Sequence, residues 1–175
     1  MGTKNYKTIK PVPQIDDMAC WAASLEWWLK YMSPKLPVAT QWDLMIDFKS
    51  ETYYPEDIND PNFGGLSDSG MLNILNAPRF NLGTAYKSGP SMTYEFLSEK
   101  LKNGPVIIAF LDWVAAGGSP GETRLNHCNV VIKAKKTESG VVNLTVMEPR
   151  KGTFEKYRTI SYYQQGDVIL GWPKI

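Results

Sequence analysis

Gly104-Pro105 divides this 175-residue chain into two halves of different character. Ahead of it, apolar residues recur at helical spacing between loops; behind it, they come in short runs broken by turn residues. From Met18 to Met32, the residues Trp21, Leu25, Trp28 and Met32 follow i, i+4, i+7, i+11 spacing. That spacing predicts a helix with a buried stripe. Asp16 and Asp17 are expected to cap it, and Ser33-Pro34 to end it. Gln41 to Phe48 predicts a short helix, Met71 to Asn76 one or two turns, and Ser91 to Asn103 a helix capped by Ser91. Ser50 to Ser69 reads as loop. In the second half, Val106 to Leu111, His127 to Ala134, Val141 to Met147, Glu155 to Ile160 and Asp167 to Trp172 predict strands. The second and third of these form a hairpin whose polar turn ends at Gly140. Helices followed by antiparallel strands make an α+β fold: an N-terminal helical half packed on a C-terminal antiparallel β-sheet. The expected organisation is an N-terminal arm over residues 1–10 and one domain over 11–175.

The charge balance excludes some partners. Lys and Arg number 19 against 18 Asp and Glu, a formal net charge of +1, so nothing favours nucleic acid or an anionic membrane. The N-terminus is polar and carries no apolar run, so neither a signal peptide nor a transmembrane segment is expected. Both a cytoplasmic and a secreted location fit that reading. One His and two Cys do not make a zinc ligand set, and no metal or cofactor is implied. Nor do two cysteines make a disulfide framework.

Cys20 is the residue that suggests chemistry. It falls where the first helix begins, and the single His127 lies far downstream at the start of an apolar strand. A cysteine and a distant histidine brought together by folding form a nucleophile and its base. The unpaired N–H groups and partial positive charge of a helix N-terminus favour a thiolate, and an imidazolium alongside favours it further. His127 needs an orienting group on its other nitrogen. The antiparallel return of the hairpin brings Glu148 back beside it. Oxyanion donors are then the Cys20 backbone N–H and the side-chain amide of Gln14. If His127 faces Cys20, strand alternation turns Cys128 away, which argues against a Cys20–Cys128 bridge.

These residues resemble a known family. Pro13-Gln14 followed by Cys20-Trp21-Ala22-Ala23-Ser24 resembles the Gln-x5-Cys-Trp-Ala motif of papain-like cysteine peptidases. It is most similar to the bacterial branch that includes bacteriocin-leader-processing peptidases and plant-pathogen effector peptidases. Gly104-Pro105-Val106-Ile107-Ile108 is similar to the strand before the histidine there. His127-Cys128-Asn129-Val130-Val131-Ile132 resembles its histidine block, and Val146-Met147-Glu148-Pro149-Arg150-Lys151-Gly152 its Asp-Pro-x-x-Gly block. The likeness runs from Pro11 to Gly152.

The resemblance implies a papain-like fold and a thioester acyl-enzyme. Cys20 is then the nucleophile, His127 the general base and acid, and Gln14 the oxyanion donor. Glu148 stands where Asp or Asn is usual. The implied partner is a protein or peptide substrate. The loop from Ala115 to Asn126 is expected to rim the cleft. Two other readings stay open: the same Cys–His chemistry used by a deamidase, transglutaminase or peptidoglycan amidase, and an inactive peptide-binding module.

Overall fold

A computed structural model describes residues 5–112 and 124–174. Five α-helices and six β-strands are found there. The helices are α1 (Cys20–Met32), α2 (Gln41–Asp47), α3 (Asp68–Leu75), α4 (Tyr94–Leu101) and α5 (Ile160–Tyr163). The strands are β1 (Leu82–Lys87), β2 (Val106–Asp112), β3 (Arg124–Lys136), β4 (Val142–Glu148), β5 (Thr153–Thr159) and β6 (Asp167–Pro173). All six join one antiparallel sheet in the order β1-β6-β2-β3-β4-β5. The α+β expectation therefore stands. No helix among the described residues is long and apolar enough to cross a membrane.

Helices cover both faces of the sheet, not one. On the first face, α1 lies against β3 through a cluster holding Trp21, Leu25, Ala109, Cys128, Val130 and Ile169. On the second, Met92 and Leu97 at α4 and Ile160 and Tyr163 of α5 pack with Val131, Leu144 and Val146. Strand alternation sorts these side chains: odd residues of β3 up to Val131 look to one face, even residues to the other. The helix α1 is buried almost all round, from Cys20 to Trp28. Such a helix sits inside a core and does not lie on its surface. Two indole N–H groups lock it in place. Trp21 Nε1 donates to the Gly64 carbonyl at 3.0 Å, and Trp28 Nε1 to the Pro105 carbonyl at 2.9 Å.

Several local expectations are corrected. The cap of α1 is Ala19, which has no side-chain acceptor. Asp16 accepts instead from the Met18 N–H at 2.8 Å, closing an Asx turn one step ahead of the helix. Thr93, not Ser91, caps α4, and Ser67 caps α3, which begins earlier than expected. The strand β1 was not foreseen. It is an edge strand whose Gly83 lies under the Trp172 indole, and its sequence shows no regular alternation. Tyr6, in the N-terminal arm, is buried edge-on against Phe154 with ring centroids 5.0 Å apart.

The loop ahead of α3 is ordered by main-chain bonds. Tyr53 N–H donates to Gly65, Gly64 N–H donates to Tyr53, and Thr52 bridges Leu66. Gly64 has φ +77°, and a Cβ there would stand 2.6 Å from Met45 Cε. Gly64→Ala should therefore cost about 1–3 kcal/mol of stability. A urea unfolding midpoint unchanged from the wild type would contradict this packing.

Candidate active site

Glu148 ends β4 with its carboxylate inside the protein, only 2% of the residue remaining exposed. A buried carboxylate needs donors, and four converge on it. His127 Nε2 lies 2.6 Å from Oε1, and the Arg150 backbone N–H donates to the same oxygen at 3.1 Å. Asn129 Nδ2 donates to Oε2 at 2.8 Å, and Arg158 Nη2 lies 2.7 Å from it. Burial alone would raise this carboxyl pKa. The His127 hydrogen bond and charge, with Arg158 and the Arg150 N–H, pull it down to about 2.

His127 and Asn129 reach Glu148 because residues two apart on β3 share a face. Arg158 needs a different device. Leu144 pairs with Arg158 and Val146 with Glu155, so Thr145 of β4 opposes two residues, Lys156 and Tyr157. This is a β-bulge. It places Glu155 and Arg158 on one face despite their odd separation, and the two side chains pair with each other there. The backbone cost appears at Tyr157, which has φ +72° and is 76% exposed. Arg158 Nη1 also donates to Asn129 Oδ1 at 3.1 Å, and the Tyr163 hydroxyl donates to the same atom at 2.7 Å. The result is a closed polar network of His127, Glu148, Asn129, Arg158 and Tyr163.

Cys20 opens α1 on the other side of β3. Cys20 is buried, with 4% of the residue exposed, and the polar neighbours of its thiol are the backbone N–H groups of Cys128 and Trp21. Ser24 Oγ, one turn later, donates to the Cys128 carbonyl at 3.1 Å and pins the helix to the strand. Placement at a helix start predicted a lowered thiol pKa. Burial outweighs it: the Cys20 pKa is pushed up to about 12, although both N–H groups and the charge of Arg150 lower it.

Cys128 does not turn away from Cys20. The two share one apolar cluster, and charge on Cys20 raises the already elevated Cys128 pKa. Both are free thiols. Side chains do alternate along β3, but Cys128 and not His127 lies on the α1 face. His127 Nδ1 is buried and makes no hydrogen bond, and none joins His127 to Cys20.

Gln14 is held nearby. Its backbone N–H donates to the Pro149 carbonyl, one residue past Glu148, at 3.0 Å. Its side-chain Nε2 donates to the Asp16 carbonyl at 2.6 Å, and its Oε1 is buried without a partner. Gln41 shapes this segment by accepting from Ile15 N–H and donating to the Pro13 carbonyl. Gln41 is itself set by Glu26, which accepts from the Gln41 N–H at 2.9 Å. The segment 115–123 of the expected rim lies outside the described residues.

Asn129 was within reach of sequence reasoning, standing two residues after His127 on a predicted strand. Arg158 and Gln41 were not, since nothing in the chain announces the bulge or the loop that makes each of them useful.

No protein-family model matches the sequence, and no curated protein matches it. The fold is similar to the crystal structure of a "putative C39-like peptidase from Bacillus anthracis", with a TM-score of 0.57 and 10% identity. That likeness covers 95% of each chain. The chain thus shares its α+β fold with that structure over almost its whole length.

The Glu148 network fixes a pH dependence. A carboxyl pKa lowered on folding adds stability above its unfolded value, and that stability is lost as pH falls through the folded value. A drop from 4.5 to about 2 corresponds to roughly 3 kcal/mol. Wild-type stability should decline between about pH 4.5 and 2, and Glu148→Gln should flatten that decline. Parallel acid unfolding curves for the two proteins would contradict the assignment.

Proposed function

We propose that this chain is a cysteine peptidase or a closely related amidase that works through a thioester at Cys20. One observation carries the reading. His127 gives Nε2 to a buried, fixed carboxylate and keeps Nδ1 unpartnered. The next residue along β3 points its N–H at the Cys20 sulfur. An imidazole held in this way needs only a thiol at Nδ1 to complete a nucleophile–base–orienter series. The shared fold with a C39-like peptidase supports the same class.

In this mechanism the resting thiol is neutral, held so by burial. Substrate binding brings the thiol and Nδ1 together, and the proton moves from sulfur to the imidazole. The imidazolium is stabilised by Glu148, whose low pKa keeps it anionic at neutral pH. The thiolate attacks the amide carbonyl carbon and the carbonyl π electrons move to oxygen. Cys20 N–H receives that oxyanion, with Gln14 Nε2 as the second donor, through its remaining hydrogen. The C–N bond breaks as the imidazolium protonates the departing amine. Water, deprotonated by His127, then cleaves the thioester.

Resemblance to the leader-processing and effector branch narrows the substrate to a protein or peptide. A second reading, an inactive peptide-binding module, is favoured by the burial of Cys20 and its lack of an imidazole contact. Peptide incubation followed by mass spectrometry separates the readings: new N-termini mark a peptidase, ammonia release from glutamine a deamidase.

Cys20→Ala should abolish turnover while moving the thermal midpoint little. An equally active Cys20→Ala protein would end the proposal. A second readout is alkylation of Cys20, with Cys128 as internal control. Iodoacetamide should label resting Cys20 slowly in both the wild type and His127→Ala, because burial holds the thiol neutral. A peptidyl chloromethyl ketone, which occupies the site as a substrate does, should label Cys20 at least tenfold faster in the wild type than in His127→Ala. Equal chloromethyl ketone rates in both proteins would favour the binding module.

A further inference from the structure

A cavity of about 630 Å³ opens beside the start of α1. Met18, two residues ahead of Cys20, forms part of its wall with Leu66 and Gly65, and Glu51, Asn62 and Ser67 line it as well. The wall is preformed. Trp21, the residue after Cys20, ties its loop to α1 through the Gly64 carbonyl, and the Thr52–Leu66 bridge closes the other side. A cavity anchored to the residues on both sides of a nucleophile is placed to receive a side chain of whatever that nucleophile attacks.

Its chemistry is specific. Among the described residues, Glu51 is the only charged residue in the lining. Asn73 Nδ2 donates to Glu51 Oε2 at 2.8 Å and orients the carboxylate. Oε1 makes no hydrogen bond among the described residues. Met18 and Leu66 offer apolar surface a few atoms away. This suits a side chain with an aliphatic stem and a cationic head, the form of Lys and Arg. The surrounding loop adds field of the same sign: from Glu51 to Asp68 the chain carries five acids and no Lys or Arg. Such a patch raises the local concentration of cationic ligands and repels anionic ones.

We propose that this cavity is a specificity subsite that takes a Lys or Arg side chain flanking the amide bond presented to Cys20. The stem packs on Met18 and Leu66, and the head meets Glu51. The substrate class is therefore a basic peptide segment. This rests on the reading of Cys20 as a nucleophile acting on peptides.

The test uses binding and cleavage separately. Fluorescein-labelled Gly/Ala hexapeptides carry a single Arg walked through each position, each paired with a citrulline twin. Anisotropy titrations use the Cys20→Ala protein, so that no probe is consumed. At one position, Arg should bind about fivefold or more tighter than citrulline, and the gap should shrink with added salt. Glu51→Gln in the same background should remove the gap, and Glu51→Lys should invert it toward Glu-bearing peptides. Equal binding of Arg and citrulline at every position would overturn the subsite. Equal cleavage of both twins by the wild type would overturn it too, while leaving hydrolysis intact. Arg-selective binding with no cleavage of any peptide would uphold the subsite and remove the peptidase reading.

Discussion

The buried carboxylate of Glu148 is the constraint around which the second half of the chain is arranged. A carboxylate taken out of water without partners is costly enough that it would protonate. Its partners must therefore arrive together, and they come from three separate places. His127 and Asn129 come from β3, Arg158 from β5, and a backbone N–H from the turn at Arg150. Removing any one leaves charge less compensated in a dry setting, so the network behaves as a unit. This explains why a strained, exposed Tyr157 is tolerated: its left-handed backbone belongs to the bulge that turns Arg158 inward. Strain of this kind costs on the order of 1 kcal/mol, less than the several kcal/mol at stake in an unpaired buried charge.

The same network has a consequence for the imidazole. Because Oε1 accepts from both Nε2 and the Arg150 N–H, it is fixed in position, and the ring it holds is fixed with it. That fixes which nitrogen is left over. Nδ1 has no hydrogen-bond partner although it is buried, and a buried polar atom in that condition calls for an explanation, which the proposed thiol contact would supply. Gln14 Oε1 is in the same condition, and the Gln14 N–H is tied to Pro149, the residue after Glu148.

The parts of this structure written in the sequence are those with a short period. Trp21, Leu25 and Trp28 declared α1 by their spacing, and the Val-rich runs around His127 and Val142 declared β3 and β4. The hairpin return from His127 to Glu148 could be drawn from the turn ending at Gly140, and the two side chains do meet. What stayed hidden depends on departures from regularity. The bulge at Lys156 and Tyr157 changes which face Arg158 occupies, and no residue there is a glycine that would announce it. The weak edge strand β1 owes its place to pairing with β6, a partner some ninety residues away. The α1 cap was misassigned because Asp16 has a closer donor in Met18 N–H. And face assignment needed one fact alternation cannot supply: which side of β3 the helix α1 covers.

That last point bears on how the thiol and the imidazole can work together. Cys128, not His127, lies under α1, so in the proposed mechanism His127 would meet Cys20 around the end of the strand and not across its face. A residue in the middle of a strand could not do this, because the sheet itself would stand between. His127 can, because it lies near the strand's first residues, where Phe110 opposite is followed at once by a shift of register between β2 and β3. The bulge loosens pairing on the side from which the ring must approach. Burial meanwhile holds the Cys20 thiol in its neutral form, so in the proposed mechanism proton transfer would wait for the approach and not precede it. A site working in that way would keep a reactive thiolate from forming until a ligand had brought the two groups together.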